Sequence, residues 1–269
     1  MSEYDLLAKH YDAVTGDSSS EVAFIDSVIK HANNRAVTLL EVACGTGSVM
    51  ASLAGRYRVS GLDISPGVLA VAREKLPAGT ALHLADMSSF RLGKKFDAII
   101  CVYHGINHLL SFAAWQNFFT CAYRHLNDGG VLVFDILTVG NLQMMAAMPK
   151  EVQKFGDNYL LIGVRTSDQI VFEWDIEVFE IQPGGGYKLL TEVIRTVSYE
   201  PAEVREVLGE KFNNIQTIET DGGAVNEDGE NRIWFVCTKN ARPALDEPGN
   251  RQDEWPARDA RASPGAPEL

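Results

Sequence analysis

The sequence is short of positive charge, of paired cysteines and of long apolar runs. It has 24 Lys plus Arg against 36 Asp plus Glu, a formal charge of −12, which argues against a protein that binds nucleic acid by neutralising phosphates. Its four cysteines form no CxxC pair, so neither a disulfide framework nor zinc-ligand spacing is present. No apolar segment has the length of a signal-peptide core or a membrane span. We therefore expect a cytoplasmic protein with no membrane or nucleic-acid partner.

The last 29 residues, 241–269, contain five of the ten prolines and no Ile, Val, Phe, Met or Tyr. Because such a segment buries too little apolar surface to offset the entropy of ordering, we expect it to be disordered. The rest of the chain is long enough for one large α/β domain with a smaller insertion.

Before residue 241, short apolar runs alternate with helix-like segments. The runs predict buried strands over Val37–Val42, Arg58–Leu62, Ala81–Leu84, Phe96–Val102 and Val131–Ile136. The segments between them predict helices over Ser48–Arg56, Pro66–Lys75 and Ala113–Leu126. Such alternation indicates a doubly wound, mostly parallel sheet with helices on both faces.

After residue 136 the pattern changes to a period of two. Ile170–Glu180 and Tyr187–Tyr199 flank a Pro-Gly-Gly-Gly turn, which predicts an antiparallel hairpin. A helix over Pro201–Leu208 and strands over Phe212–Glu219 and Ile233–Thr238 follow. We therefore predict a seven-stranded, Rossmann-like α/β core at residues 1–148 and 200–240, an antiparallel lid at 149–199 and a tail at 241–269.

The first predicted strand runs straight into a glycine-rich turn, Glu41-Val42-Ala43-Cys44-Gly45-Thr46-Gly47, which a helix follows. Glycines at 45 and 47 let the backbone turn tightly and approach a ligand at the carboxyl ends of the strands. A dinucleotide fingerprint would need Gly or Ala where Met50 stands, and a phosphate loop would need Gly-Lys-Ser/Thr. Both phosphate-binding interpretations therefore lose support.

Two acidic residues follow the next two predicted strands. Asp63 is placed to accept hydrogen bonds from a ribose diol, while Asp86 and Met87 are placed to hold an adenine. Alternatively, Asp63 serves only as a turn or helix-cap residue and Asp86 only as a loop acid. Together, the glycine-rich turn, Asp63, and the Asp86-Met87 pair favour a site for a nucleoside-containing cofactor.

These motifs resemble those of the class I S-adenosylmethionine-dependent methyltransferase superfamily, over roughly Tyr4 to Lys239. The segments that carry the resemblance are Leu39–Gly47, Gly61–Pro66, Ala85–Met87, Phe96–Ile100 and Leu126–Leu132. Within it, Leu84–Phe96 is similar to the amino-sugar N-methyltransferases of macrolide antibiotic pathways. The late hairpin also resembles the lid of that subgroup and of the glycine-type N-methyltransferases.

The resemblance implies S-adenosyl-L-methionine as the cofactor and S-adenosyl-L-homocysteine as the product. Its methionine part would lie over Gly45 and Gly47, with the backbone of Ala43 available to the amino group. The ribose would be bound by Asp63, and the adenine by Asp86 between Ile64 and Met87. The remaining predicted cofactor-binding residues are Tyr11, Glu41, Ser88 and Val102, and either Val102 or Tyr103 lies beside the methionyl group.

The acceptor side follows from the same resemblance. Tyr103–His108 faces the reacting centre in the superfamily, so His104 or His108 is predicted to orient the acceptor or take its proton. Either histidine alternatively has only a local structural role. Tyr103 and Asn107 are predicted acceptor contacts. Asp135, at the end of predicted strand five, is predicted to bind an acceptor amine, with a role as a loop anchor as the alternative.

An N-terminal segment covers the active site in this subgroup. Tyr4 and Tyr11 lie seven residues apart, on one face if that segment is helical, so Tyr4 is predicted to contact the acceptor and Tyr11 to contact cofactor or acceptor. Simple packing of Tyr11 is the alternative. Phe172 and Trp174 of the hairpin are predicted to pack rather than to touch substrate. No metal site is predicted, because HGINH lacks the glutamate of HExxH.

We therefore expect an enzyme that methylates the amine nitrogen of a small molecule, either an amino sugar or an amino-acid-derived natural product of antibiotic biosynthesis. An O-methyltransferase of the same fold is the alternative. Two alternatives belong to other functional classes, namely a non-catalytic cofactor-binding module and an NAD-dependent oxidoreductase. The sequence leaves the oligomeric state, including a homo-oligomer, open.

Overall fold

A computed structural model describes residues 9–16, 18–166, 168, 170–219 and 232–240 of the chain. Tyr4 and the tail at 241–269, which is predicted to be disordered, lie outside the described residues. Within the ranges described, no helix is both long and apolar enough to cross a membrane.

A seven-stranded sheet forms the centre of the fold. Its strands are β1 (Thr38–Val42), β2 (Arg58–Asp63), β3 (Ala81–Leu84), β4 (Phe96–Cys101), β5 (Leu126–Leu137), β10 (Asn214–Glu219) and β11 (Arg232–Thr238). They lie in the order β10-β11-β5-β4-β1-β2-β3. Strands β1 to β5 pair in parallel, whereas β11 runs antiparallel to both of its neighbours. The predicted doubly wound, mostly parallel core is confirmed.

Helices cover both faces of this sheet because alternate strand residues bury on opposite sides. Leu40, Ile99 and Leu132 belong to one apolar cluster, while Leu39, Ile100 and Val133 belong to the other. The helices are α1 (Tyr11–Thr15), α2 (Ser19–Ala32), α3 (Ser48–Leu53), α4 (Pro66–Lys75), α5 (Phe112–His125), α6 (Val139–Ala147) and α7 (Pro201–Gly209). Helix α5 packs into the first cluster through Trp115, Phe118, Phe119 and Ala122, whose spacing places them on one helical face.

A second, four-stranded antiparallel sheet is inserted between β5 and α7, and we call it the lid sheet. It consists of β6 (Glu151–Phe155), β7 (Asn158–Thr166), β8 (Val171–Ile181) and β9 (Tyr187–Val197), in that order. One of its faces buries Phe155, Leu160, Ile176, Val178 and Ile194. The predicted antiparallel insertion after strand five is confirmed.

The predicted hairpin corresponds to β8 and β9, but the two strands before it were not predicted. Most residues of β7 are only half-buried and those of β6 are mostly exposed, so neither carries the clear alternation that marks β8. Helices α2 and α6 also went unpredicted.

Strand β5 begins at Leu126 rather than at the predicted Val131. The Asn-Asp-Gly-Gly run that predicts a turn at 127–130 is instead part of the strand. It is accommodated by a positive φ of 76° at Gly129 and by a register shift in the pairing between Phe96 and Ala98. Lys239, just after β11, exchanges backbone hydrogen bonds with Gly129 and Gly130.

Close packing behind the glycine-rich turn depends on Gly61 in β2. A Cβ at this position would lie 2.6 Å from Met50 Sδ and 2.8 Å from Cys44 Sγ. Met50, which replaces the small residue of a dinucleotide fingerprint, therefore packs against β2 in space that only glycine leaves open.

We expect Gly61→Ala to lower the free energy of unfolding by about 1–3 kcal/mol, because the added methyl group overpacks this contact. Urea unfolding of the variant and the original chain measures the difference. The control is Gly140→Ala in helix α6, where an added Cβ meets nothing within 4 Å, so that change should leave stability equal or raise it by up to about 1 kcal/mol. Equal losses in both variants would contradict the packing argument.

Candidate functional site

The glycine-rich turn after β1 opens space at the carboxyl edge of the sheet. Three of its residues have positive φ, namely Ala43 (56°), Gly45 (51°) and Gly47 (75°). A Cβ at Gly47 would lie 3.1 Å from the Cβ of Ala72, so this glycine allows α3 and α4 to pack closely, whereas a Cβ at Gly45 meets nothing within 4 Å. Gly45 thus presents backbone to this space, into which no other described residue apart from its two chain neighbours brings an atom within 4 Å of that Cβ.

The carboxylate of Asp63 joins this turn to the next loop. One oxygen accepts the backbone N–H of Gly45 at 2.9 Å, and the other accepts that of Ser65 at 2.9 Å. Asp63 is buried at the end of β2, and burial raises its pKa while the backbone donors oppose that rise. Asp63 can therefore stabilise the turn and also bind a ribose, because a carboxylate offers about four acceptor sites and the two backbone donors use only part of them.

Glu41 is buried on β1, four residues before Gly45. Its side chain accepts the backbone N–H of Met50, and its Oε2 has no hydrogen-bond partner among the described residues. Burial, with a smaller contribution from the charge of Asp63, raises the pKa of Glu41 to about 8. Near neutral pH this side chain therefore holds a proton and can both donate and accept.

Apolar side chains stand exposed beside Asp63. Ile64 is 58% exposed and Leu84, which pairs with Asp63 across β2 and β3, is 63% exposed. Met87, three residues after Leu84, is half-buried. Asp86 Oδ1 accepts both the backbone N–H and the hydroxyl of Ser88 at 2.7 Å. This exposed apolar surface, with an acid at its rim, has the character of a site for a flat aromatic group.

Helix α1 lies against the glycine-rich turn. Asp12 accepts hydrogen bonds from the hydroxyls of Thr46, at 2.6 Å, and Ser48, at 2.8 Å, and forms an ion pair with Lys75. These bonds hold the pKa of Asp12 below its ordinary value despite partial burial. The N-terminal segment is therefore fixed over the loop that follows β1.

Tyr11, the first residue of α1, lies near the buried acids. Burial raises the pKa of its hydroxyl to about 12; Arg232 opposes this rise, and the charges of Glu41 and Asp63 add to it. The hydroxyl therefore remains a hydrogen-bond donor at all physiological pH values.

Helix α1 also packs on the lid sheet. Lys9 and His10 both approach the Glu180 carboxylate, the ring of His10 lies 5.4 Å from that of Phe155, and Gln153 donates a hydrogen bond to the carbonyl of Val14. The segment thus bridges the glycine-rich turn and the lid sheet.

The chain leaves β4 through two consecutive non-glycine residues in the left-handed region, Tyr103 (φ 55°) and His104 (φ 48°). A left-handed backbone conformation costs a non-glycine residue on the order of 1–3 kcal/mol, so it persists only where surrounding contacts enforce it. Here the His104 N–H donates to Asp135 Oδ2 at 3.0 Å. Asp135 has no exposed surface, and its carboxylate lies 3.9 Å from the Arg232 guanidinium.

Asp135 was predicted to contact an acceptor. Its fully buried carboxylate holds the backbone of His104, which agrees with the alternative of a loop anchor, and contact with an acceptor stays a prediction. Arg232, which was not predicted, stacks over the ring of Tyr103 at 5.3 Å and balances the charge of Asp135.

Asn107 was also predicted to contact the acceptor, and in this structure its amide bonds within the protein. Its amide nitrogen donates to the carbonyls of Leu137 (3.2 Å) and Val197 (2.7 Å), and its oxygen accepts the N–H of Leu137 at 3.1 Å. Both amide protons are thus used, and the side chain has no exposed surface. Asn107 is a clamp that joins the short 3₁₀ turn Gly105–His108 to the ends of β5 and β9.

The two histidines differ in their partners. Burial lowers the pKa of His108 to about 4, opposed by a hydrogen bond to the backbone of Arg195 on β9. Burial, with smaller effects of Arg232 and His108, also holds the pKa of His104 well below its ordinary value, and its Nδ1 is buried with no hydrogen-bond partner among the described residues. Both rings are therefore neutral at pH 7, and His104 has a nitrogen to offer a ligand.

The two lid aromatics that were predicted to pack, Trp174 and Phe172, both do so. The indole of Trp174 is stacked on the imidazole of His104, a partner that the sequence did not indicate, with ring centroids 6.1 Å apart and planes 8° from parallel. Phe172 is fully buried beside Leu137 and Leu142. Within the part of the chain that is described, no three His, Cys, Asp or Glu side chains come together as a metal site requires.

Comparisons with known proteins agree with this geometry. Residues 39–130 match a family model described as "Methyltransferase domain". A dTDP-3-amino-3,6-dideoxy-alpha-D-glucopyranose N,N-dimethyltransferase of Streptomyces fradiae is 34% identical over 134 residues, which cover 48% of this chain and 52% of that protein. A putative methyltransferase of Geobacillus sp. (strain WCH70) is 24% identical over 251 residues, or 88% of this chain and 99% of that protein. The chain spans about half the length of the first three curated relatives that it matches.

Solved structures show the same architecture. An S-adenosylmethionine-dependent methyltransferase from Clostridium acetobutylicum superposes with a TM-score of 0.73 at 22% identity, covering 88% of this chain and 96% of that one. A sugar N-methyltransferase from a Streptoalloteichus species gives a TM-score of 0.72 at 25% identity, with coverages of 89% and 93%. The resemblance to class I methyltransferases is confirmed for the fold.

The protonated state of Glu41 predicts a specific pH dependence. Its folded pKa of about 8 lies above the ordinary 4.5, so the folded chain binds the extra proton between these values and stability falls as pH rises through them. The slope is at most about 1.4 kcal/mol per pH unit. Urea unfolding of the ligand-free chain at pH 5, 6.5 and 8 measures it.

Glu41→Gln keeps an acceptor for the Met50 N–H but cannot titrate, so this variant should lose that slope. The control is Asp97→Asn, because hydrogen bonds from Asn127, Thr38 and Val37 hold the pKa of Asp97 below its ordinary value. Its stability should shift by the same amount at all three pH values. A slope unchanged in Glu41→Gln would mean that Glu41 is ionised in the folded chain.

Proposed function

We propose that the chain is an S-adenosyl-L-methionine-dependent methyltransferase acting on the amine nitrogen of a small molecule. The match of residues 39–130 to a methyltransferase-domain model and the order of the strands support this proposal. One observation carries the proposal. The carboxyl edge of the sheet places two buried acids, Glu41 and Asp63, under an open glycine turn and has a neutral histidine, His104, after β4. The lid sheet and α1 cover the same edge.

The residues present fit the cofactor. Asp63 has acceptor capacity left for the two ribose hydroxyls, and Glu41 Oε2 is a buried oxygen without a partner below the turn. Ile64 and Met87 offer apolar surface for the adenine, with Asp86 and Ser88 at its rim. When bound, the cofactor supplies a methyl group on a positively charged sulfur. The net charge of −12 on the chain favours binding of this positive charge.

The backbone around Ala43, Gly45 and Gly47 holds the methionine part of the cofactor in this proposal. Val102, which is buried at the end of β4, and Tyr103 lie beside it. The hydroxyl of Tyr11, protonated and near Glu41 and Asp63, is available as a donor to cofactor or acceptor.

On the acceptor side, catalysis requires alignment, exclusion of water and an unprotonated nucleophile. His104 has the role of orienting the amine and accepting its proton through Nδ1, since that atom is buried and unpartnered. His108 instead supports the lid through the backbone of Arg195. The lowered pKa of His104 makes it a weak base. Because an ammonium group is more acidic than a hydroxyl group, a weak base removes the ammonium proton more readily.

The proposed substrate is an amino sugar or an amino-acid-derived natural product of antibiotic biosynthesis. The amino-sugar N,N-dimethyltransferases among the relatives support this class, as does a sugar N-methyltransferase among the structural neighbours. O-methylation by the same site is the second candidate, favoured only by the presence of a histidine able to take a proton. The cytoplasmic location and the absence of nucleic-acid partners stay predictions.

Titration calorimetry with S-adenosyl-L-homocysteine tests the cofactor site. We expect Asp63→Asn to weaken binding about 10- to 100-fold, because a neutral amide replaces the charge-assisted acceptor of the ribose. Asp97→Asn is the matched control, since Asp97 binds Thr38 and Asn127 outside the proposed site, and its affinity should match the original chain. No binding by the original chain, or equal binding by both variants, would overturn the proposal.

Transfer of a labelled methyl group tests the acceptor site. With a panel of amino sugars and their hydroxyl analogues, we expect the label on nitrogen only. His104→Gln should lower kcat by about 10²-fold or more, while cofactor affinity stays unchanged. His108→Gln should chiefly lower the unfolding temperature. Label on oxygen would establish the second candidate, and a larger kcat loss in His108→Gln would reverse the roles of the histidines.

A further inference from the structure

The imidazole of His104 is in contact with the lid sheet as well as the core. Its ring centroid lies 6.1 Å from that of Trp174 on β8, with the planes 8° from parallel. This separation lies within the range of offset stacking between aromatic rings. Trp174 thus links the antiparallel insertion to the residue that follows β4.

The indole of Trp174 is itself fixed within the lid sheet. Its Nε1–H donates to Thr196 Oγ1 at 3.0 Å, and Thr196 on β9 has no exposed surface. In the register of the sheet Trp174 lies between Val164 on β7 and Ile194 on β9. Its ring plane therefore follows from the lid's own packing and hydrogen bonding.

The backbone of His104 is fixed by the core. Its N–H donates to Asp135, and its carbonyl accepts the N–H of Asn107 at 2.9 Å. What these bonds leave undetermined is the rotation of the side chain, whose second torsion has broad minima. A buried Nδ1 without a partner costs about 1–3 kcal/mol, so a free ring would rotate to satisfy it. The stacked indole is the contact that opposes this rotation.

We propose that Trp174 is a positioning residue that holds the imidazole of His104 in the plane from which Nδ1 meets the acceptor amine. The inference rests on the proposed function and deepens it, since the lid then orients the group that receives the proton. Two further contacts join the same turn to the lid: Asn107 donates to the carbonyl of Val197, and His108 bonds the backbone of Arg195. The turn is therefore joined to the lid sheet at three points.

Four variants separate positioning from stability. Trp174→Leu removes the stacked ring, Trp174→Phe keeps a ring without the N–H, and Thr196→Val removes the hydrogen-bond acceptor. Phe172→Leu is the control for loss of a buried ring on the same strand. Phe172 is fully buried in an apolar cluster with Leu137 and Leu142, against which Trp174 also packs, and this variant keeps the indole. Thermal unfolding is recorded for all four.

The first readout requires no activity. In protein with ¹³C at the histidine Cε1 positions, the signal of His104 is assigned through its loss in His104→Gln and then followed against pH. In Trp174→Leu we expect the signal to move downfield, away from the ring current of the indole, and its midpoint to rise toward 6.5 as water reaches the ring. Trp174→Phe and Thr196→Val should give intermediate shifts.

The charged or titratable groups placed against His104 are Arg232 on β11, Asp135 on β5 and His108 on its own turn. All three are retained in the four variants, so their contributions to the midpoint cancel in the comparison. Because it keeps the indole, Phe172→Leu should shift the His104 signal and its midpoint much less than Trp174→Leu does, whatever its cost in stability.

The second readout is transfer kinetics. Trp174→Leu should lower kcat about 10- to 100-fold, as expected for a misplaced reacting group, with the affinity for S-adenosyl-L-homocysteine unchanged, and Trp174→Phe should recover most of the loss. An unchanged His104 signal in Trp174→Leu, or an equal shift in Phe172→Leu, would overturn the positioning role. If Trp174→Leu does not fold, the test uses the His104 signals of Trp174→Phe and Thr196→Val. Unchanged signals in both of these variants would overturn the positioning role. Failure of all transfer by the original chain would count against the proposed function alone, because the resonance readout is independent of it.

Discussion

The two oxygens of the Asp63 carboxylate accept backbone N–H groups from loops that follow neighbouring strands, and the rest of the site depends on that bridge. Parallel strands end at one edge with their loops free, so something must hold those loops in place. Asp63 holds the turn after β1 through Gly45 and the start of α4 through Ser65. Asp12 of α1 then attaches the N-terminal segment to the same turn through Thr46 and Ser48.

A similar arrangement recurs on the other side of the site. After β4 the backbone passes through two strained residues, and the fully buried Asp135 stabilises the second of them, His104. The 3₁₀ turn that follows connects core and lid through the amide of Asn107. The proposed cofactor and acceptor regions are thus each built on a buried carboxylate that fixes a loop, and the lid is joined directly to the acceptor region.

The sequence motifs that predict the cofactor site are local. Strand one, the glycine turn and Asp63 lie within 25 residues of one another in the sequence, and their chemistry depends on their immediate neighbours. On the acceptor side the important partners are far apart. Asn107 bonds residues 30 and 90 positions away, and the stacking of Trp174 on His104 depends on how a separate sheet docks. No periodicity in the sequence encodes such contacts.

Long-range contacts also account for the features that the sequence left open or missed. Asn107 was expected at the acceptor from the family resemblance and Asp135 from its place at the end of a strand. In the structure both hold the turn after β4 through hydrogen bonds to residues far away in the sequence. Arg232 begins β11 one residue before the predicted strand, and its place beside Tyr103 follows from the antiparallel pairing of β11 with β5. Strands β6 and β7 escaped prediction because half-exposed strands alternate weakly between apolar and polar residues.

The most direct measurement is a crystal structure of the chain with S-adenosyl-L-homocysteine and an amino-sugar acceptor. The account predicts the ribose hydroxyls within about 2.7–3.2 Å of the Asp63 carboxylate and the acceptor nitrogen facing Nδ1 of His104 beneath the lid sheet. A ribose bound away from Asp63, or an acceptor nitrogen that contacts neither His104 nor the space above Gly45, would contradict it.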